Sequence, residues 1–239
     1  MQACTKELGG IPAELKDIDR AATKPYFCPD NHTAAKLESC CQDARRQGDS
    51  LGGLVHLRIS GVPAGLGEPV FDKLEARLAY ALMSVGSVTG IQIGRGFAAA
   101  RVKGSDNNDP ILPGDAQAEG FIKAQGRLPS GASYGFASNN AGGVLGGISS
   151  GAPVIATISV KPISSISTEQ HSIDLQGEPV SFSIDGRHDV SAIPRIVPVL
   201  KAMAALAMAD FVLMQQSARL SYFNQGIFAP EEEPEQKQP

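Results

Sequence analysis

Three stretches of this 239-residue chain carry residue types and spacings that could do chemistry. The first, Ser138 to Gly151, reads Ser-Asn-Asn-Ala-Gly-Gly-Val-Leu-Gly-Gly-Ile-Ser-Ser-Gly. Paired glycines let a backbone approach a flat or phosphorylated ligand and turn several N–H groups toward it. No Gly-Lys-Ser/Thr follows and no strand–turn–helix context is clear, so the stretch is neither a Walker loop nor a dinucleotide fingerprint. A glycine-rich turn without a ligand is the plainer alternative. In the second stretch, Lys161-Pro162-Ile163-Ser164-Ser165, a cation, two hydroxyls and free backbone groups follow an apolar run, where they could meet a phosphate. The alternative is a solvated lysine. The third is Gly186-Arg187-His188-Asp189. Arg187 could pair bidentately with a phosphate or carboxylate, and Asp189 could serve as a base or orienting carboxylate. Alternatively, the two pair with each other on a surface loop, which is worth little energetically. His188 lies beside an acid but lacks the second partner of a triad.

Other reactive residue types fall outside any recognisable site. His32, His56 and His171 have no metal-ligand spacing, and Cys4, Cys28, Cys40 and Cys41 include no Cys-x-x-Cys pair, so no metal site is expected. Reduced, partly buried thiols in a cytosolic protein are the reading for the cysteines. Gly104 to Asp109 places polar side chains at alternate positions but lacks the glycine and terminal glutamate of an EF-hand loop. Met203, Met208 and Met214 fit a core or interface better than a cofactor box.

The elements that would position these residues follow from periodicity. Residues 1 to 30 hold Gly9, Gly10, Pro12, Pro25 and Pro29 and are expected to form an irregular arm. Thr33 to Gln47 predicts a short surface helix ending on Gly48, with Arg45 and Arg46 placed well against its dipole. Val55, Leu57 and Ile59 alternate with polar residues, the period of a half-buried strand. A helix is predicted from Glu68 to Val85, buried on more than one face, with Phe71, Leu74, Leu78, Leu82 and Val85 at helical spacing. Val88 to Ile93 returns as a strand, and 110 to 134 is a loop excursion. Strands at 154–160 and 180–184, with a hairpin near Gly177, lead to a long helix at about 197–218, apolar nearly all round. Helices of this kind need cover on more than one side, which an α+β sandwich supplies.

Composition limits the function classes. Hydrophobic residues make up 42% and charged residues 19%, so the chain is globular, with residues 1–229 as one domain and an acidic, disordered tail at 230–239. Aromatics are 5%, tryptophan is absent and net charge is −4, which argues against stacking platforms for single strands and against a basic nucleic-acid or membrane footprint. No signal peptide is evident, and no apolar run approaches the roughly 20 residues of a membrane span.

Taken in order, several segments resemble chorismate synthase. The stretches that carry the likeness are Gly61 to Asp72 with Leu82-Met83-Ser84; Gly104-Ser105 with Asn108-Asp109; Ser138-Asn139 with Ala141-Gly142-Gly143 through Ser149; Lys161-Pro162; and Gly186 to Asp189 with Arg195 and Val197-Pro198. The resemblance covers about Gly9 to Leu220. It implies a sandwich of two antiparallel sheets around central helices, a cytoplasmic homotetramer, and reduced FMN as cofactor, with NADP among the family's ligands. The implied reaction is lyase chemistry of the shikimate pathway: anti-1,4-elimination of phosphate from 5-enolpyruvylshikimate-3-phosphate, giving chorismate for aromatic amino acid biosynthesis.

Carried over by position, the resemblance implies FMN contacts from Gly86, Ser87, Gly146, Lys161, Pro162, Ile163, Ser164, Ser165 and Arg187, and makes Asp189 the carboxylate near flavin N5. Two local departures stand out: Gly86-Ser87 replaces a common Asn-Ala, and Val190-Ser191 replaces a common Pro-Cys. Nothing in the chain matches the family's N-terminal Gly-Glu-Ser-His-Gly-like motif, second histidine or arginine-rich segment, so the sandwich is expected to be incomplete at the N-terminus. An expressed fragment, a truncated gene model and a degenerate copy all fit. The functional alternatives are an inactive FMN-binding or oligomerisation module and an unrelated scaffold. A shared site further requires Arg187 and Asp189 to lie near the glycine segment.

Overall fold

The computed structural model describes residues 1–218. Its centre is a five-stranded antiparallel sheet in the order β2-β1-β3-β10-β4. The strands are β1 (Gln2–Leu8), β2 (Ile11–Pro12), β3 (Gly53–Ile59), β4 (Val88–Ile93) and, later in the chain, β10 (Val154–Val160). Alternation decides the faces. Val55, Leu57 and Ile59 of β3 and Val154, Ala156, Ile158 and Val160 of β10 point into one core. His56, Arg58 and Thr157 fall on the opposite, polar face, where register pairs Thr157 with both His56 and Gln92.

Helices cover the apolar face. Helix α1 (Asn31–Gln47) starts at the Asp30 side chain, which accepts from the N–H groups of His32 and Thr33, and stops at Gly48 in the left-handed region at φ 71°. Helix α2 (Leu74–Met83) buries Leu74, Leu78 and Leu82 completely and packs on β4 and, past the one-turn α3 (Gly104–Asn107) in chain order, on the last described helix, α4 (Ile193–Ala218). Helix α4 also crosses β1 and β3. It is long and apolar enough to cross a membrane by length and composition, with an 18-residue window of mean hydropathy 2.0, a third of it buried in this fold. The apolar element is therefore longer than sequence inspection marked.

Four further expectations need correction. Residues 2–8 are not an irregular arm but the β1 strand beside β3, and a bulge between Thr5 and Glu7 breaks the alternation that would have revealed it. Helix α2 begins at Leu74, not Glu68. Phe71 lies before it and is 92% exposed, and Tyr80 and Met83 are exposed too, so the helix buries one face rather than several. The 110–134 excursion forms a small sheet with its flank, in the order β5-β7-β6, from β5 (Ile111–Pro113), β6 (Ile122–Arg127) and β7 (Ser133–Phe136). It closes on a satellite core of Ala124, Phe136 and Ala152. The 180–184 strand is β12 (Pro179–Phe182), exposed throughout and hairpinned to β11 (Gln170–Ile173). The acidic tail at 230–239 lies outside the described residues.

Candidate functional site

Strand β10 has two ends, and the candidate residues divide between them. At the Val160 end, Val160 pairs with Gly53 of β3 and with Val88 of β4. Gly86 and Ser87, which immediately precede β4, therefore meet Lys161, which immediately follows β10, and the Lys161 N–H donates to the Ser87 carbonyl at 2.9 Å. Ser87 holds φ 71°, a left-handed conformation uncommon for a residue with a Cβ. Such strain points to a functional constraint, because surrounding structure must overcome its cost. The next loops are tied to the same place. The Ser50 hydroxyl donates to the Ile163 carbonyl at 2.6 Å, and the Leu51 N–H donates to the Val190 carbonyl at 2.7 Å.

Val190 adjoins the third candidate segment. Asp189, its side chain 30% exposed, accepts from Arg195 at 3.0 Å and lies 3.5 Å from Arg187. Arg195 stands in the first turn of α4, so the carboxylate is fixed by a helix rather than by its own loop. Arg187 is 82% exposed at its side chain and reaches outward. The His188 Nε2–H donates to the Ile184 carbonyl at 2.8 Å, which closes the loop on itself.

Gly146 is at the Val154 end. It tops the hairpin of β8 (Val144–Leu145) and β9 (Ile148–Ser149), where the Leu74 N–H donates to the Gly147 carbonyl at 2.8 Å. A seven-residue strand spans about 20 Å, so one copy of the chain does not bring Gly146 to Arg187 and Asp189. The expected proximity of the glycine segment to that loop is corrected accordingly. Around Gly146 the surface is open: φ is 61°, and no atom lies within 4 Å of where a Cβ would stand.

Asp109 organises the glycine segment. Its Oδ1 accepts from the Ser138 hydroxyl at 2.6 Å and the Asn140 N–H at 2.7 Å, while Oδ2 accepts the Ala141 N–H at 2.9 Å. Asn139 reaches both ways, accepting from the Gly143 N–H at 2.7 Å and donating to the Pro153 carbonyl at 2.8 Å. Asp109, Ser138 and Asn139 therefore serve to hold the hairpin that carries Gly146.

Residues 1–213 match the chorismate synthase family. The chain belongs to that family. It is 52% identical over 216 residues to a chorismate synthase of Nitratidesulfovibrio vulgaris strain DP4, covering 90% of this chain and 55% of that protein. A chorismate synthase of Desulfatibacillum aliphaticivorans is 47% identical over 217 residues, covering 91% of this chain and 55% of the relative. Among solved structures, a chorismate synthase crystal structure superposes with a TM-score of 0.68 at 25% identity, covering 90% of this chain and 56% of that one. The chain thus spans about half the length of the curated chorismate synthases it matches, and it has the family's α+β architecture of helices on antiparallel sheet.

Sequence reasoning missed three supports of these segments. Ser50, Leu51 and Gly52 read as a plain turn after α1, because nothing in a Ser-Leu-Gly-Gly string shows which distant carbonyls it meets. Asp109 stood out only as the end of the polar Gly104–Asp109 stretch and within a family motif, neither of which shows the N–H groups it meets. Arg195 was visible only within such a motif, and its ion pair with Asp189 is what gives it a role. Among the described residues no group of three or more His, Cys, Asp or Glu could hold a metal ion.

Proposed function

We propose that this chain contributes the flavin-side part of a chorismate synthase active site, eliminating phosphate from 5-enolpyruvylshikimate-3-phosphate with reduced FMN. The observation that carries this reading is the convergence at the Val160 end of β10. There Ser87 meets Lys161, and Ile163 and Val190 hang from adjacent residues. Three of the four segments assigned by family resemblance meet at one place although they are far apart in sequence.

The residues there suit such a cofactor. Gly86 leaves open space where a side chain would stand, Lys161 and Arg187 offer exposed cations, and Ser164 and Ser165 add hydroxyl donors. Gly86, Ser87, Lys161 to Ser165 and Arg187 would hold the flavin, whose chemistry when bound is to supply electron density to the ring that loses phosphate. Asp189 would hold or take a proton beside it, oriented by Arg195. Arg187 and Lys161 would counter the phosphate charge that develops on the departing group. Gly146 belongs to the same reading only at its far end, presenting open backbone to a ligand that reaches along the sheet or to a site shared with another copy. The family setting is a cytoplasmic homotetramer acting on a small phosphorylated substrate.

The test is an anaerobic assay with reduced FMN and 5-enolpyruvylshikimate-3-phosphate, run with the chain joined to the remaining portion of a relative. Chorismate formation that disappears with Asp189→Ala supports the reading. Full turnover in the Asp189→Ala and Arg187→Ala variants would remove it.

A further inference from the structure

The connector between α1 and β3, residues 48–52, fastens two of the proposed site segments together, the Lys161–Ser165 run and the Arg187–Asp189 loop. Ser50 is buried at 9% exposure, and its hydroxyl donates to Ile163 O at 2.6 Å. The next residue, Leu51, donates its N–H to Val190 O at 2.7 Å. Consecutive Cα atoms stand about 3.8 Å apart, so the Lys161–Ser165 run and the Arg187–Asp189 loop hang from two anchor points with almost no freedom between them. Gly52 sharpens the fit. A Cβ there would lie 2.7 Å from the Val160 carbonyl and 2.8 Å from Pro162 Cδ, so the connector backbone presses directly on the start of the lysine run. A third tie, from Ser167 N–H to Gly48 O at 2.9 Å, fixes the far side of that run to the same connector. Between the anchored segments the chain makes the exposed β11–β12 hairpin, in which every residue of β12 is exposed and which offers little packing to set their spacing.

We propose that Ser50 is a positioning residue for the flavin site: its buried hydroxyl sets the Lys161–Ser165 run against the Asp189 loop through the 48–52 connector. The inference rests on the flavin reading above and extends it to a residue that touches no ligand. Removing the hydroxyl leaves the Ile163 carbonyl without its donor and loosens the middle of the run against the Asp189 loop, while the Ser167–Gly48 bond still holds its far side and the Leu51 bond still holds Val190. The loss of a buried hydrogen bond corresponds to roughly a ten-fold weakening of a ligand that needs both segments.

The experiment compares the unaltered chain with Ser50→Ala, Ser50→Cys and Ser50→Thr. It uses FMN titration by flavin fluorescence, amide hydrogen exchange and thermal unfolding. Ser50→Ala should bind FMN about ten-fold more weakly, Ser50→Thr should restore affinity to within about two-fold, and exchange should quicken in both 161–165 and 187–190. Ser50→Cys, which keeps the volume but donates poorly, should fall between them and serves if the alanine variant does not fold. Unchanged affinity in Ser50→Ala, failure of Ser50→Thr to restore it, or quickened exchange in one segment alone would overturn the proposal. If FMN fluorescence stays unquenched both with the unaltered chain and with the chain joined to the remaining portion of a relative, the flavin reading itself fails. The exchange data then still decide whether Ser50 couples the two loops.

Discussion

Asp109 Oδ1 accepts the backbone N–H of Asn140 at 2.7 Å, although the two residues belong to different turns at the edge of the small sheet. With Ser138 and Ala141 also donating to it, one carboxylate satisfies three donors of the segment that leads to Gly146. Charge-assisted bonds of this kind are stronger than neutral ones, and each donor left unpaired in a partly buried loop carries a further cost.

Replacing Asp109 by alanine is therefore expected to destabilise the chain by about 2–3 kcal/mol, with Asp109→Asn losing less because one carbonyl oxygen remains. For a domain of this size that corresponds to a fall in Tm of roughly 5–10 °C for the alanine variant. Calorimetry reads the difference. An alanine variant that melts with the unaltered chain would mean that the carboxylate does not organise the hairpin.

Glycines in the same region separate packing from function. Gly67 sits at φ 122°, and a Cβ there would run into the Gly147 carbonyl, so Gly67→Ala should fail to fold or melt far lower. Gly146→Ala meets nothing within 4 Å and should cost only about 1–2 kcal/mol for its left-handed backbone, leaving a folded chain. Circular dichroism and FMN titration on the pair distinguish them. A Gly146→Ala chain that folds yet keeps full FMN affinity would take Gly146 out of the proposed flavin contacts.

His56 gives the fold a pH dependence. It is buried on the polar face of the sheet near Lys6 and Arg58, and burial first, then those two cations, lowers its pKa to about 4. An unfolded histidine titrates near about 6.5, so between those values the unfolded chain binds the extra proton and acid favours unfolding. The contribution is fully present above about pH 6.5 and is lost as pH falls toward about 4, at most on the order of 3 kcal/mol. Carboxylates held low, such as Asp30 by the Thr33 side chain and Asp17 by Lys24, lose their contribution in a lower window. His56→Gln should flatten urea midpoints between pH 7 and 5 while leaving the steeper loss below pH 4. An unchanged slope in that variant would exclude His56 as its source.

Much of this was legible in the sequence wherever one period ran unbroken. Val55, Leu57 and Ile59 announced β3, the apolar run 154–160 gave β10 to the residue, and Gly48 marked the end of α1. The failures have separate physical causes. A bulge at Lys6 shifted the alternation of β1, so a central strand looked like polar punctuation. Glu68-Pro69 resembles a helix start, yet Glu68 and Asp72 close a tight turn on each other, which throws Phe71 outward and delays α2 to Leu74. In the site, residue types pointed to Lys161, Arg187 and Asp189. Their spacing depends on carbonyls of Ile163 and Val190, and backbone acceptors leave no trace in side-chain identity.

The groove between α2 and α4 predicts association. It encloses 520 Å³ and is lined by Tyr80, Ala81, Met203, Leu206 and Ala207, with Arg77 bridging Asp72 and Asp210 at one end. Tyr80 and Leu206 are exposed along it, an apolar surface of the kind that seeks a partner. Light scattering at micromolar concentration should give a mass above the 25.0 kDa of one chain, and Leu206→Glu should lower it. A monodisperse monomer would show that this face is stable in water.

Activity is the last expectation, and it follows from what phosphate elimination requires. The leaving group's charge must be neutralised and a proton moved, and in the proposed reading Lys161, Arg187 and Asp189 are this chain's candidates for those tasks. The family resemblance assigns two histidines and an arginine cluster to a portion with no counterpart in these 239 residues, and the chain covers 55% of its N. vulgaris relative. One missing general acid alone typically costs about 10²- to 10⁴-fold in rate, and each missing preorganised donor about 3 kcal/mol more. These losses fall on one transition state and need not add, yet either brings turnover close to background. The 239-residue chain by itself is therefore expected to form no measurable chorismate in the anaerobic assay, and adding the remaining portion of a relative should restore product. Arg195→Ala in the restored enzyme should then lower kcat more than it raises KM, because Arg195 pairs with the Asp189 carboxylate at 3.0 Å and would act through its orientation. Robust turnover by the chain alone would mean that the indispensable groups lie within it.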